Sequence, residues 1–432
     1  MELRPVKIYS QGSAARLNYM AEVILHDILG LSYEIITDRR RIGKNPAINY
    51  SSGKVPGALK MSPDSLLFED DIKPRNLIVE DWDGLPGFFP TSPDSDFPFD
   101  IFASSFYLIT RYEEYPEYGK CDESGCFIAP SSLAYRKGFL NIPVIELWAK
   151  RFARAMAGMF YGMAFKAGNY KSMMIFCTGN PFSVHGKNLL GNITYLLKEI
   201  TGAKEQHKDS DRDKDDASMF FVYLKNSLSA FSSEAKMFFS AADSFHGESH
   251  HQWRNSDYRA LIRSTSLKHD AGIYLTGDSA TSLKSVRKEI LRLAPLISQD
   301  ILKSCTDPSA LVIPESCRVL CDAGIKEDYS MGYPEDPGFR AGISRPFRFF
   351  DLRNNRVTGL LIIPYQMTDI ALAKYNRTNI GAFRKIVEGM INVTRESGGH
   401  FVSLWHETSL TDACDDGEWK EIFEFVLDRQ AW

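Results

Sequence analysis

Long apolar runs are missing from this 432-residue sequence. No stretch approaches the roughly 18 apolar residues of a membrane-spanning helix. The longest candidate, AMAGMFYGMAF at 155–165, follows Lys150, Arg151 and Arg154 and reads as the end of a buried helix. The opening MELRPVKIYS lacks the apolar core and small-residue cleavage site of a secretory signal, so an unexported, cytoplasmic protein is expected. Cysteine is sparse: the seven at 121, 126, 177, 305, 317, 321 and 414 are odd in number and too thinly spread for a disulfide framework. Neither Cys121 with Cys126 nor Cys317 with Cys321 has the spacing of a paired zinc motif. Charge of one sign is lacking too. A net charge of -4 gives no global attraction to nucleic acid or anionic lipid. Glycine-rich phosphate loops and internal repeats are absent.

What remains is enough apolar material, 44% of residues, for one large core or two ordinary ones, and two domains are expected. Residues 14–29 carry apolar side chains at helical spacing and stop at Gly30. YEIIT, SLLFE and NLIVE read as short strands between Gly, Pro, Asn and Asp punctuation. The four prolines of 84–100 forbid a regular ladder there, helical patterning resumes over 101–115, and Pro143 opens a long helix to Phe165. KAGNY at 166–170 marks the boundary, giving a smaller α/β domain over 1–168 and a second over 169–432.

From Lys171 strand and helix alternate: SMMIFC, a helix over 189–201, MFFSAA, a helix over 258–267, GIYLT, a helix over 281–297, one near 314–323, GLLIIP, a helix over 380–395, HFVSLW and a helix over 418–429. Such alternation implies parallel strands with helical crossovers, in a barrel or a doubly wound sheet. The charged stretch AKEQHKDSDRDKDD at 203–216 reads as a solvated loop.

Several stretches resemble a bacterial family in which an uncharacterised N-terminal domain precedes a polysaccharide deacetylase domain of the NodB-homology type, carbohydrate esterase family 4. They are ILHDILGLSYEIITD at 24–38, SDFPFDIFASSFYLITRYEEY at 95–115, SLAYRKGFLNIPVIELW at 132–148, AGIKEDYSMGYPEDPGFRAGISRPFRFFDL at 323–352, IPYQMTDIAL at 363–372 and GGHFVSLWHETSL at 398–410. The resemblance implies a distorted β/α barrel with its site at the C-terminal ends of the strands. It also implies a divalent metal, commonly zinc, held by one Asp and two His, with a second Asp as base and a His as acid.

Against that pattern the chain is depleted. The D-x-D that should end the first strand becomes Cys177 and Gly179, with only Asn180 nearby as a polar group. Tyr274 stands where a histidine ligand is expected, and Asp278 offers one carboxylate. SQDIL at 298–302 replaces a further Arg and His. Three positions match: Arg340 for an arginine that orients acid and base, Asp369 for a supporting carboxylate and His406 for the late histidine acid. A pocket without its metal is expected, hence no cofactor. Trp82, Trp405 and Tyr333 could stack on a sugar, although aromatics at strand ends more often pack the core. Arg340 could equally pair with Asp336 or Asp351. HGESHH at 246–251 reads as a loop that takes metal adventitiously rather than as a replacement site, and Cys177 with His185 reads as a structural thiol.

The leading expectation is therefore a catalytically degenerate relative that binds a surface-polysaccharide intermediate or a partner enzyme of that pathway. The first alternative is an active hydrolase that removes acetyl groups from an N-acetylated sugar through His406, Asp369 and Arg340. The second is a purely structural interaction protein.

Overall fold

The computed structural model describes residues 4–115, 121–122, 125–179, 234–245, 248–249, 252–297, 299–376, 380–407 and 417–431. The expected helix over 189–201, the charged stretch at 203–216, Asn180, His185, His246, His250 and His251 lie outside them.

The first sheet is parallel throughout, in the order β2-β1-β3-β4, from β1 (Val6–Ser10), β2 (Tyr33–Ile36), β3 (Ala47–Tyr50) and β4 (Leu59–Lys60). The expected opening helix forms as Ala15–Ala21 and continues as a π-helix over Glu22–Ile28. Gly30 follows with φ +70, a conformation that glycine adopts without a Cβ penalty. Two expected strands fail. SLLFE is a 3-10 turn, Ser65–Phe68, because Asp64 accepts from the Leu66 amide and starts a turn instead of a ladder. NLIVE contributes only Glu80 to the short hairpin of β5 (Glu80–Trp82) and β6 (Leu85–Gly87), and Ile78 is exposed. Asp100 caps the helix Ile101–Ile109 by accepting from the Phe102 and Ala103 amides. The helix begun by Pro143 runs over Val144–Met159 and ends short of the expected Phe165.

The second sheet has nine strands in the order β14-β15-β13-β12-β11-β8-β7-β17-β16. They are β7 (Lys171–Thr178), β8 (Glu234–Phe239), β11 (Asp270–Leu275), β12 (Lys303–Thr306), β13 (Glu327–Asp328), β14 (Phe347–Asp351), β15 (Arg356–Ile362), β16 (Met367–Thr368) and β17 (His400–His406). Between β8 and β11 a hairpin of β9 (Ser244–Phe245) and β10 (Glu248–Ser249) stands apart. All pairings in the large sheet are parallel except β14 with β15. Its two end strands, β14 and β16, share no ladder among the described residues.

The large sheet is nonetheless strongly rolled. Ile175 and Cys177 of β7, Phe238 of β8, Tyr274 of β11, Cys305 of β12, and Val402 and Leu404 of β17 pack with Tyr329, Ile363 and Tyr365 into one buried cluster inside the roll. These are alternate residues of their strands, so one face of each strand turns inward. The opposite faces join the much larger apolar cluster, which runs without a break into the N-terminal sheet and helices.

Candidate functional site

The C-terminal ends of β11, β12, β16 and β17 bring four polar side chains into a buried chain of hydrogen bonds. Asp369 opens the helix Asp369–Asn376 and is fully buried. One of its oxygens meets His406 Nδ1 at 2.7 Å, and the other accepts from the His406 backbone amide at 2.6 Å. The other ring nitrogen, Nε2, lies 3.1 Å from the Tyr274 hydroxyl, which donates to Asp307 Oδ2 at 2.8 Å. Asp307 is held in turn by the amide and hydroxyl of Ser309, at 2.9 and 2.5 Å.

Electrostatics fix the protonation of this chain. Burial pulls the His406 imidazolium down, but Asp369, and then Asp307 and Glu407, outweigh that and push it up to about 9. At neutral pH the ring is therefore charged, and both ring N–H groups donate, one to Asp369 and one to the Tyr274 oxygen. Burial and the neighbouring Asp307 carboxylate push the Tyr274 phenol well up, so it keeps its proton for Asp307. The imidazolium side chain is 12% exposed, so one side of it remains reachable from solvent.

Beside His406 the ladder places Cys177 as its register partner on β7. The Cys177 thiol faces Cys305 with a sulfur separation of 3.5 Å, and burial pushes both thiols up. The Gly179 amide donates to Glu407 at 3.0 Å. These positions do not fit the metal that the resemblance implies. Gly179 has no donor side chain, the Tyr274 hydroxyl is committed to Asp307 and His406, and both His406 nitrogens are engaged. Among the described residues, three His, Cys, Asp or Glu ligand atoms come together only at exposed Glu22, His26 and Asp27, far along the chain from these strand ends.

The other expected site residues are placed differently. Arg340 is buried and clasps Glu114 with two nitrogens, at 3.0 and 2.7 Å, while a third donates to the Gly332 carbonyl. Its guanidinium lies 4.8 Å from the centroid of the Tyr333 ring. Arg111 completes this knot by donating to Glu114, to the Tyr333 hydroxyl and to the Arg340 carbonyl. Asp351, one expected partner of Arg340, takes Arg318 instead. Arg340 and Tyr333 thus tie the two halves of the chain together, and the Tyr333 face that could stack on a sugar carries a guanidinium. Trp405 points away from the pocket: its indole N–H donates to Ser403 and its ring meets Phe423 edge-on in the outer core. Trp82 packs against Phe97, Phe99 and Arg151. Asp278 falls on the turn Gly277–Thr281 after β11, and its side chain lies outside the description.

Asp307, Cys305 and Glu114 were missed by sequence reasoning. KSCTD at 303–307 is too short and too polar to read as a strand, and only the following Asp-Pro hints at a strand end. Glu114 gave no signal, since its partner is 226 residues away.

Residues 6–161 match a family of unknown function, DUF7033. No curated protein matches the chain. Among solved structures, a candidate polysaccharide deacetylase from Mycobacterium smegmatis aligns at 12% identity over 62% of this chain and 87% of its own, with a TM-score of 0.36. A candidate glycoside hydrolase or deacetylase from Parabacteroides distasonis aligns at 8% identity over 61% and 66%, with a TM-score of 0.34. A mutant of a carbohydrate esterase family 4 pseudoenzyme with restored activity aligns at 11% identity over 60% and 64%, with a TM-score of 0.26. Scores this low define no shared fold by themselves.

Proposed function

We propose that this chain is a degenerate relative of the NodB-type polysaccharide deacetylases that binds a sugar polymer intermediate, or an enzyme acting on one, at the strand ends around His406. In this reading the rolled sheet is the barrel of the second domain, residues 1–168 are an accessory domain, and the protein works in the cytoplasm. One observation carries the proposal. A thiol and a bare glycine end β7 beside a charged imidazolium, where carboxylates are needed to hold a metal and activate water. The imidazolium offers a ligand its positive charge, and the buried carboxylates keep it in that state.

A second reading, an amide hydrolase, draws support from the same His406. An imidazolium fixed by Asp369 is an acid able to protonate a departing sugar amine. Titration of tag-free protein with chito-oligosaccharides, followed by calorimetry and an acetate assay, separates the two. Binding that His406→Ala weakens at least 10-fold, without acetate, supports the first. Acetate release abolished by His406→Ala establishes the second. Neither binding nor acetate rejects both and leaves a structural interaction role.

A further inference from the structure

Glu289 is a buried carboxyl that the strand-end chain of hydrogen bonds does not use. It lies on the helix Leu283–Ile297 and is 3% exposed. Ser279, on the turn Gly277–Thr281 that follows β11, donates to its Oε1 at 2.6 Å. Its Oε2 is buried with no hydrogen-bond partner among the described residues. One side chain therefore clips the helix to the turn, while half of its carboxyl goes without a donor.

The cations on its own helix are engaged elsewhere. Arg292, three residues on and on the same face, and Lys288 both donate to Asp243, at 2.8 and 2.7 Å. A second amino group of Arg292 donates to the Ala241 carbonyl, and its guanidinium lies 4.2 Å from the centroid of the Trp253 ring. These hydrogen bonds from Arg292 and Lys288 hold the Asp243 carboxyl well below the usual carboxylate range. Of the other elements packed here, the helix Ser256–Ser266 presents Tyr258, whose hydroxyl donates to the Thr178 and Ser240 carbonyls. β11 turns Tyr274 into the roll, and the helix Glu315–Ala323 is met by Arg287, which donates to the Asp322 carbonyl. A buried carboxylate with an unpaired oxygen and a second carboxylate nearby is disfavoured against its neutral form. Burial pushes Glu289 up to about 7, with Asp243 adding to it and Ser279, Arg292 and Lys288 opposing.

We propose that Glu289 is a pH-operated latch, which holds the turn Gly277–Thr281 to the helix while its carboxyl carries a proton and lets the turn go once it is charged. In the protonated state the carboxyl accepts from Ser279 and the two cations stay on Asp243. When the proton leaves to solvent, a second negative charge enters the buried cluster. Arg292, on the same helical face, is drawn from Asp243, and the carboxylate that follows it leaves Ser279. The sign of the linkage agrees: the folded value lies above the ordinary 4.5, so the stabilisation is complete below 4.5 and is lost as pH rises through 7. The turn continues the strand that carries Tyr274, so the latch sets how firmly that wall of the site is held, whatever the site binds.

The test is hydrogen–deuterium exchange of the unliganded, tag-free chain from pH 5 to pH 9, read by mass spectrometry on peptides spanning 276–282 and corrected for the intrinsic pH dependence of exchange. Protection should be constant up to about pH 6 and fall about 10-fold by pH 8.5. Glu289→Gln keeps the shape without the charge and should stay protected at every pH. Asp243→Asn leaves Arg292 to Glu289 and should move the loss of protection about one pH unit lower, a shift that a merely structural role would not produce. Wild-type protection that stays constant from pH 5 to pH 9 would overturn the proposal, as would a loss that persists in Glu289→Gln. A window left in place by Asp243→Asn would overturn it too, and that variant keeps the test open should Glu289→Gln fail to fold. No sugar is present in this experiment, so its failure is separate from a failure of the sugar-binding reading.

Discussion

The Tyr274 hydroxyl and His406 Nε2 meet at 3.1 Å although their strands are separated by β8 and β7 in the sheet order. In a flat sheet three ladder steps would hold them about 14 Å apart. The contact therefore exists only because the sheet rolls, and it joins two carboxylates, Asp369 and Asp307, through one imidazolium and one phenol.

Removing the Tyr274 hydroxyl should weaken the fold rather than only the site. In Tyr274→Phe the buried Asp307 carboxylate and the His406 Nε2–H each lose a partner, at a cost of about 1–3 kcal/mol. Urea unfolding of the two proteins should show a lower midpoint with an unchanged slope. An unchanged midpoint would mean that water fills the gap.

His406 makes stability depend on pH in a definite direction. Its folded value of about 9 lies above the ordinary 6.5, so the folded state holds a proton that the unfolded state gives up in between. The contribution is complete below about 6.5 and is lost as pH rises through 9. Melting temperature should fall over that window, and the fall should be smaller in His406→Gln.

Asp369→Asn tests the cause of that shift. The nearest carboxylate acting on the ring disappears while its shape is kept, so the imidazole should titrate below its wild-type value. Proton–nitrogen NMR of the ring across pH reads this directly. A histidine that still titrates near 9 would assign the effect to Asp307 and Glu407.

Glu114→Ala should be the costliest of these substitutions. It leaves Arg111 and Arg340 buried without their shared carboxylate, and breaking one partner out of a buried pair typically costs about 3–5 kcal/mol. Chemical denaturation should show the loss. Because the pair spans the two halves of the chain, limited proteolysis should also begin to cut between them.

Much of the fold was legible in the sequence because it rests on local pattern. Alternating strand and helix signals from Lys171 onward locate β7, β8, β11, β15, β17 and those of the expected helices that fall within the described residues, since apolar periodicity is a property of neighbours in the chain. Asp369 and His406 were singled out through the resemblance, and the structure places them in contact. What the sequence could not decide depends on groups far apart along it. SLLFE has a strand's composition, but a single aspartate before it turns the backbone. Arg340 matched a site residue, yet Glu114 from the other half of the chain takes its guanidinium. Trp405 sits one residue from His406, and strand alternation sends it to the opposite face. Asp307, the far end of the hydrogen-bond chain, came from a strand too short to read. The residue types at the strand ends were set by the sequence alone. Their meeting was decided by the roll of the sheet, because only curvature brings side chains from strands three steps apart within hydrogen-bonding distance.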